Sequence, residues 1–148
     1  MAIWKNLPSL EQLNAMRANT MIGTLDIQIT EIGDDYVRGT MPVDARTHQP
    51  YGLLHGGASV SLAETLGSIA AMLCCDPKSE RAVGLDINAN HLRAVTSGRV
   101  IGTVRPIHVG RSTQVWEIRI EDEGGKLVCI SRLTTIVVPA QAIPVGKG

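Results

Sequence analysis

The residues best suited to chemistry lie within and just before one apolar stretch of the chain. From Gly56 to about Cys75, leucines recur at helical spacing and alanines fill most other positions, which predicts a buried helix. Glu64 is the only charged residue in that stretch, and no Lys or Arg lies three or four positions from it to form an ion pair. An unpaired buried carboxylate is costly and persists mainly where it is used.

The predicted helix face around Glu64 carries small side chains, namely Val60, Gly67, Ser68 and Ala71. These residues leave room beside the carboxylate for a molecule that is not protein. Two structural alternatives stay open at this point. Glu64 could lie at a solvated helix edge, or it could pair with an Arg from a strand.

The tripeptide His55-Gly56-Gly57 immediately precedes this helix. The first N–H groups of a helix have no intrahelical partner and lie at the positive end of its dipole, so the Gly56 N–H could polarise a bound carbonyl oxygen. Glu64 follows about two turns later, within reach of the same region in a folded monomer or dimer. This pairing indicates acyl transfer or hydration chemistry. A tight helix entry would explain the glycines, but not the neighbouring Gln49 and His55.

The remaining pattern predicts the elements that position these residues. A capping box at Ser9 and Gln12 predicts a short helix to about Ala18. Alternating or apolar runs between turn signals predict six strands. They span residues 25–30, 36–43, 82–92, 98–109, 113–122 and 126–138, with a loop over residues 44–54. One long helix among consecutive strands favours an α+β fold in which an antiparallel sheet wraps around the helix.

Composition narrows the class of protein. The 148 residues suit one domain, with residues 1–20 as a helical N-terminal segment and residues 139–148 as a flexible tail. Fourteen basic and 14 acidic side chains cancel, which argues against nucleic acid as a partner. No apolar run is long enough to cross a membrane and the first residues do not form a secretory signal, so a cytoplasmic location is expected.

The residue types in the core can also be predicted. With no Phe in the sequence, the core is expected to consist of Val, Ile, Leu, Ala and Met. Cys74, Cys75 and Cys129 are expected to be reduced and to fill core positions.

Other catalytic and binding motifs are absent or incomplete. The segment Gly57-Ala58-Ser59-Val60-Ser61 resembles a nucleophile elbow, but Ser61 replaces its last glycine and no parallel sheet is predicted. The four histidines lack a recognised metal spacing, and no dinucleotide or Walker motif occurs. Neither a metal nor an organic cofactor is therefore expected.

Two segments carry a family resemblance: Gln49-Pro50-Tyr51-Gly52-Leu53-Leu54-His55-Gly56-Gly57-Ala58-Ser59 and Leu62-Ala63-Glu64-Thr65-Leu66-Gly67-Ser68. Together they resemble the hotdog-fold acyl-CoA thioesterases, in the Glu-dependent branch that contains 4-hydroxybenzoyl-CoA thioesterase. The likeness continues through residues 83–93, 114–116 and 131–134. It implies hydrolysis of aromatic acyl-CoA, of the hydroxynaphthoyl or hydroxybenzoyl type, or of medium-chain acyl-CoA. It also implies homodimers or homotetramers (dimers of dimers) with active sites at the dimer interface.

The resemblance further implies roles for individual residues. Glu64 of one subunit would act as nucleophile or general base, while the Gly56 N–H of the other subunit holds the thioester oxygen, with Gln49 and His55 nearby. Gly57, Ser68 and His91 would contact substrate or the attacking water. Arg93, Ser112 and Thr113 would hold the CoA nucleotide, a role that suits their cationic and hydroxyl groups.

Alternative functions remain open from the sequence. The substrate could be an acyl or aryl group on a carrier protein's phosphopantetheine arm. A protein of another class, one that binds acyl-CoA without turnover, is disfavoured by the presence of Glu64. A hydratase is disfavoured because its chemistry typically uses an Asp/His pair, which this helix lacks.

Overall fold

The computed structural model describes residues 1–144, which form a curled antiparallel sheet packed against one long helix. The helices are α1 (Leu10–Ala15), α2 (Met21–Thr24) and α3 (Gly56–Leu73). The strands are β1 (Gln28–Ile32), β2 (Val37–Pro42), β3 (Glu80–His91), β4 (Arg99–Val109), β5 (Thr113–Asp122) and β6 (Leu127–Pro139). The strand order is β1-β2-β4-β5-β6-β3 and every neighbouring pair is antiparallel. This confirms the predicted α+β architecture, a hotdog fold.

Glycines in the sheet allow α3 to lie close to it. A Cβ on Gly39 of β2 would lie 2.9 Å from one methyl carbon of Leu66, and a Cβ on Gly102 of β4 would lie 2.6 Å from the other. Leu62, Leu66 and Leu73 are fully buried on the helix face that meets the sheet. The sequence prediction of a buried helix is therefore correct, although the helix ends at Leu73 rather than at Cys75.

The core differs from the prediction in one large residue. Trp116 on β5 is fully buried, and its ring stacks on Trp4 with centroids 6.4 Å apart. The prediction of a purely aliphatic core is therefore wrong at this position. The three cysteines are buried free thiols, as predicted, and burial raises the pKa of Cys74 to about 11, which makes it a poor nucleophile.

The N-terminal region departs most from the sequence prediction. The first helix ends at Ala15 rather than Ala18, and the unpredicted helix α2 follows. Asp26 adopts a positive φ of 51°, and its carboxylate accepts hydrogen bonds from Arg17 and Arg99. This turn delays β1 to Gln28 although Leu25 and Ile27 alternate as in a strand and are buried.

The chain's last described residues continue β6 to Pro139 and then form a short 3-10 helix, Ala140–Ala142. Residues 145–148 of the predicted tail lie outside the described residues.

Strand β3 forms one edge of the sheet. It pairs with β6 over its whole length, and a register shift between Gly84 and Asp86 marks a bulge at Leu85. The backbone groups on its other side have no neighbouring strand within residues 1–144. An edge strand of this length offers a template for pairing with another strand.

Candidate active site

The N-terminus of α3 is held by His55, which is the N-cap residue. Its Nδ1 accepts a hydrogen bond from the Gly57 N–H at 2.8 Å, and its own N–H donates to the Thr47 carbonyl at 2.8 Å. The accepting Nδ1 places the proton of the neutral ring on Nε2. His55 therefore caps the helix by accepting a hydrogen bond from the Gly57 N–H, and this bond orients the first turn of the helix.

The Gly56 N–H is free to bind a ligand, since it donates to no group within residues 1–144. The His91 side chain reaches this point from the end of β3. A Cβ on Gly56 would lie 2.8 Å from His91 Nε2, so glycine is what allows the imidazole to lie so close to the helix end. The predicted residues His55, Gly56, Gly57 and His91 thus form one cluster.

Glu64 lies two turns further along α3 and is half-buried. Its carboxylate has no ionic or hydrogen-bonding partner among residues 1–144, and burial raises its pKa above the ordinary value. This excludes the pairing with a strand Arg that the sequence left open. Its Oε1 lies against the edge strand, where a Cβ on Gly84 would be 2.6 Å away.

Glu64 and the Gly56 N–H cannot act on one carbonyl within a single chain. Eight residues of α-helix separate them by about 12 Å along the axis, well beyond the reach of a glutamate side chain. The sequence left convergence in a monomer or in a dimer open, and this separation favours a dimer. Each chain contains two separate candidate half-sites: Gly56 with His91, and Glu64 with Gly84.

A cavity of about 550 Å³ opens beside Glu64, in the size range of small-molecule sites. Ser68, for which the resemblance implies a substrate-binding role, lies on its wall one helical turn beyond Glu64. Most of the remaining exposed wall is apolar, with contributions from Met16, Ile22, Ile69, Met72, Pro77 and Ala82, and the polar residues Asn6, Thr65, Glu80 and Arg81 also line the cavity. The space suits an apolar group.

Gln49 lies in the loop before α3, which an isolated bridge between His48 and Leu54 closes. Its side-chain oxygen accepts a hydrogen bond from the Tyr51 N–H, and its own N–H donates to the Leu53 carbonyl. Gln49 therefore supports the turn that leads to His55, and no hydrogen bond joins it to Glu64 within residues 1–144.

The three residues predicted to bind CoA do not lie together in one chain. Arg93 is exposed just after β3. The preceding residue, Leu92, donates its N–H to the Val128 carbonyl at the start of β6. Ser112 and Thr113 lie near the other end of β6, where Thr113 pairs with Ile136. Eight strand residues separate Val128 from Ile136, or about 26 Å.

No helix in residues 1–144 combines the length and the apolar character needed to cross a membrane. In the same part of the chain, no three His, Cys, Asp or Glu side chains cluster as ligands of a metal ion.

Known proteins with similar sequences decide the family. The model of the Thioesterase superfamily matches residues 51–129. This chain belongs to the thioesterase superfamily. The 1,4-dihydroxy-2-naphthoyl-CoA hydrolase of Escherichia coli is 55% identical over 136 residues, covering 92% of this thioesterase and 99% of that protein. The proofreading thioesterase EntH of Cronobacter turicensis is 52% identical, with 92% and 98% covered.

Solved structures agree with this assignment. A thioesterase from Haemophilus influenzae matches with a TM-score of 0.90 and 51% identity, covering 93% of this chain and 95% of that one. A thioesterase from Pseudomonas aeruginosa matches with a TM-score of 0.92 and 52% identity, with 93% and 99% covered. The predicted hotdog fold and the predicted thioester hydrolase activity are both confirmed.

Two contributions to this thioesterase's site were not singled out from the sequence. Gly84 leaves room for the Glu64 carboxylate beside β3, and Met16 and Ile22 line the cavity. Gly84 lies within the segment that carries the family resemblance, but its spacing gave no sign of contact with the helix. Met16 and Ile22 lie more than 40 residues before Glu64, and only the folded chain brings them to it.

Gly84→Ala tests whether the close contact between β3 and Glu64 serves catalysis. The added Cβ would displace Oε1, and a shift of this size is expected to lower kcat by about tenfold or more. Gly124→Ala, in the β5–β6 turn, is the matched control and should leave kcat unchanged. Equal kcat values for both variants and the wild type would show that the position of the carboxylate at Gly84 does not matter.

Proposed function

We propose that this thioesterase hydrolyses acyl-CoA at sites shared between two subunits, with Glu64 from one and the Gly56 N–H from the other. The observation that carries the proposal is the unpartnered Glu64 carboxylate beside a cavity of about 550 Å³. A structural carboxylate would be expected to have a hydrogen-bonding or ionic partner. A catalytic one needs its free lone pairs for water or for the substrate.

The edge strand offers a route to joining the two half-sites. Gly84, which touches Glu64, and His91, which touches Gly56, lie seven residues apart on β3. If β3 pairs antiparallel with its copy about a two-fold axis between Ile87 and Asn88, Gly84 faces the partner subunit's His91. Glu64 then faces the partner subunit's Gly56, and the dimer contains two complete sites.

The same pairing accounts for the scattered CoA-binding residues. An antiparallel partner brings its own strand end to the opposite end of this chain's β3. Arg93 of one subunit then approaches the end of the sheet that holds Ser112 and Thr113 of the other. One cation and two hydroxyl groups from two chains would suit the phosphates of CoA.

Chemistry at the joined site follows from these positions. The Glu64 carboxylate either removes a proton from water that attacks the thioester carbon or attacks that carbon itself. The oxyanion that forms accepts a hydrogen bond from the Gly56 N–H at the positive end of α3. The C–S bond then breaks and the CoA thiolate takes a proton. With Glu64 as general base, the acyl group leaves as a carboxylic acid. With Glu64 as nucleophile, the acyl group stays on Glu64 as a mixed anhydride, which water hydrolyses to the carboxylic acid and the free carboxylate. Ser68 and His91 flank this path and would position the water or the acyl group.

The apolar cavity favours aromatic or medium-chain acyl groups. This agrees with one relative, named for the hydrolysis of 1,4-dihydroxy-2-naphthoyl-CoA. Another relative carries the name of a proofreading thioesterase. Acyl or aryl groups on a carrier protein are therefore the second candidate substrate, and the same Glu64 chemistry would serve them.

A substrate panel tests the proposed function. The purified protein is assayed for thiol release from acetyl-, octanoyl-, benzoyl- and naphthoyl-CoA, and from a benzoyl carrier protein. We expect the octanoyl and aromatic CoA esters to exceed acetyl-CoA in kcat/KM by about tenfold or more, because each buried methylene adds binding energy. A kcat/KM for the carrier protein far above every CoA ester would select the second candidate. Hydrolysis of none of them would contradict the proposal.

A further inference from the structure

Part of the wall of the cavity beside Glu64 comes from the N-terminal segment, residues 1–24. Met16 and Ile22 of this segment line the cavity together with Ile69 and Met72 of α3 and Ala82 of β3. The helix and the sheet belong to the fold itself. The N-terminal segment packs against the helix and the sheet, and the size of its side chains therefore affects how far the cavity is closed.

Polar contacts anchor this segment at positions outside the cavity. The Asn14 amide makes two hydrogen bonds to the backbone of Ile29, at 2.8 and 2.9 Å. Arg17 donates to the Asp26 carboxylate, and the Trp4 indole N–H donates to the Gly33 carbonyl at 2.7 Å. The wall therefore has a defined position, although α2 contains no buried residue.

Ile22 occupies a particular place in this wall, because it lines three neighbouring spaces. It borders the cavity of about 550 Å³, and it borders a second cavity of about 220 Å³ on the other side of Glu64, next to Val60 and Ser61. It also borders a small space of about 50 Å³ beneath the segment. Only Ile22, Glu64 and Thr65 line both larger cavities. Ile22 thus lies where the two spaces beside the carboxylate meet.

We propose that Ile22 is a specificity-determining residue that limits the width of the acyl group beside Glu64. This inference rests on the proposed acyl-CoA hydrolysis and assigns the acyl-binding space to this side of α3. A small acyl group fills little of the space beside Glu64. A bicyclic aromatic or long acyl group extends further along the wall that contains Ile22, so the size of residue 22 affects those substrates more than acetyl-CoA.

Two variants of opposite size test the proposal in the full-length enzyme. Ile22→Trp fills the space, and Ile22→Ala joins the cavities. The readout is the ratio of kcat/KM for naphthoyl-CoA to kcat/KM for acetyl-CoA. We expect Ile22→Trp to lower this ratio by about tenfold or more and Ile22→Ala to change it by severalfold in the opposite direction, the size of effect that one or two side-chain carbons have in an apolar pocket. The change in kcat/KM for acetyl-CoA should be smaller than the change for naphthoyl-CoA.

Leu7→Ala is the control, because Leu7 is an exposed apolar residue of the same segment and lines none of these cavities. It should leave the ratio unchanged. If Ile22→Trp fails to fold, Met16→Trp narrows the same cavity from the same wall and should lower the ratio as well. A merely structural role of Ile22 would lower kcat/KM for both substrates in parallel, and that result would overturn the proposal.

Failure of the inference can be told apart from failure of the proposed function. A wild-type enzyme that cleaves several acyl-CoA esters, with variants whose ratios stay constant, would overturn only the role of Ile22. A wild-type enzyme that releases no thiol from any acyl-CoA would overturn both.

Discussion

Glu64→Gln is expected to lower kcat for thioester hydrolysis by about a hundredfold or more, because the amide can neither accept the proton of water nor attack the thioester. The substitution keeps the size and polarity of the side chain. It leaves no partner unsatisfied, since the carboxylate has no hydrogen-bonding or ionic partner among residues 1–144. The loss should therefore appear in kcat, measured by thiol release under saturating substrate.

The stability of this variant supplies its control. Burial raises the pKa of Glu64 in the folded state, so the folded chain binds a proton at this site more tightly than the unfolded chain does. Ionisation of Glu64 then costs stability as the pH rises above the unfolded pKa. Glu64→Gln removes that cost, and its Tm at pH 7 should equal or exceed that of wild type.

In the wild type, kcat should fall as the pH drops through the raised pKa of Glu64. A variant with near wild-type kcat would remove Glu64 from the mechanism.

Gly56→Pro and Gly56→Ala together isolate the Gly56 N–H. Proline is well tolerated at the first position of a helix and lacks the N–H, whereas alanine retains it. Both substitutions add a Cβ that must displace His91, which would lie 2.8 Å from it. Steric effects at His91 are thus present in both variants. We expect kcat for Gly56→Pro to lie about a hundredfold or more below that for Gly56→Ala, the usual effect of removing one oxyanion donor.

The control for this pair is the integrity of α3. Both variants should keep the helical circular dichroism of the wild type, because His55 and not Gly56 caps the helix. Equal kcat values for the proline and alanine variants would contradict the role of the Gly56 N–H in binding the thioester oxygen.

Much of the fold could be predicted from local patterns. The strand over residues 113–122 has the predicted bounds, and α3 begins where His55-Gly56-Gly57 predicted it. The start of β1 could not be predicted, because Asp26 turns the chain through a positive φ that is held by Arg99, 73 residues away. Trp116 was missed in the core because the low aromatic count concealed one large residue in a buried strand.

The candidate site, like the fold, could be predicted from the sequence only in part. Glu64 was recognised because a lone carboxylate on an apolar helix is unusual, and Gly56 because a helix N-terminus is an anion-binding position. The contacts of Glu64 with Gly84, and of Gly56 with His91, join residues 20 and 35 positions apart. The spacing of apolar residues along the sequence does not reveal such contacts. It also does not reveal that the two candidate half-sites of one chain are separated by about 12 Å along α3.

The central claim is that each active site takes Glu64 from one subunit and the Gly56 N–H from the other, and subunit mixing tests it most directly. Glu64→Gln and Gly56→Pro chains are coexpressed in equal amounts, and kcat per chain is compared with each inactive parent. At random assortment about a quarter of the sites receive both intact groups, so about a quarter of the wild-type kcat should return. A mixture that is no more active than its parents would contradict a site shared between subunits.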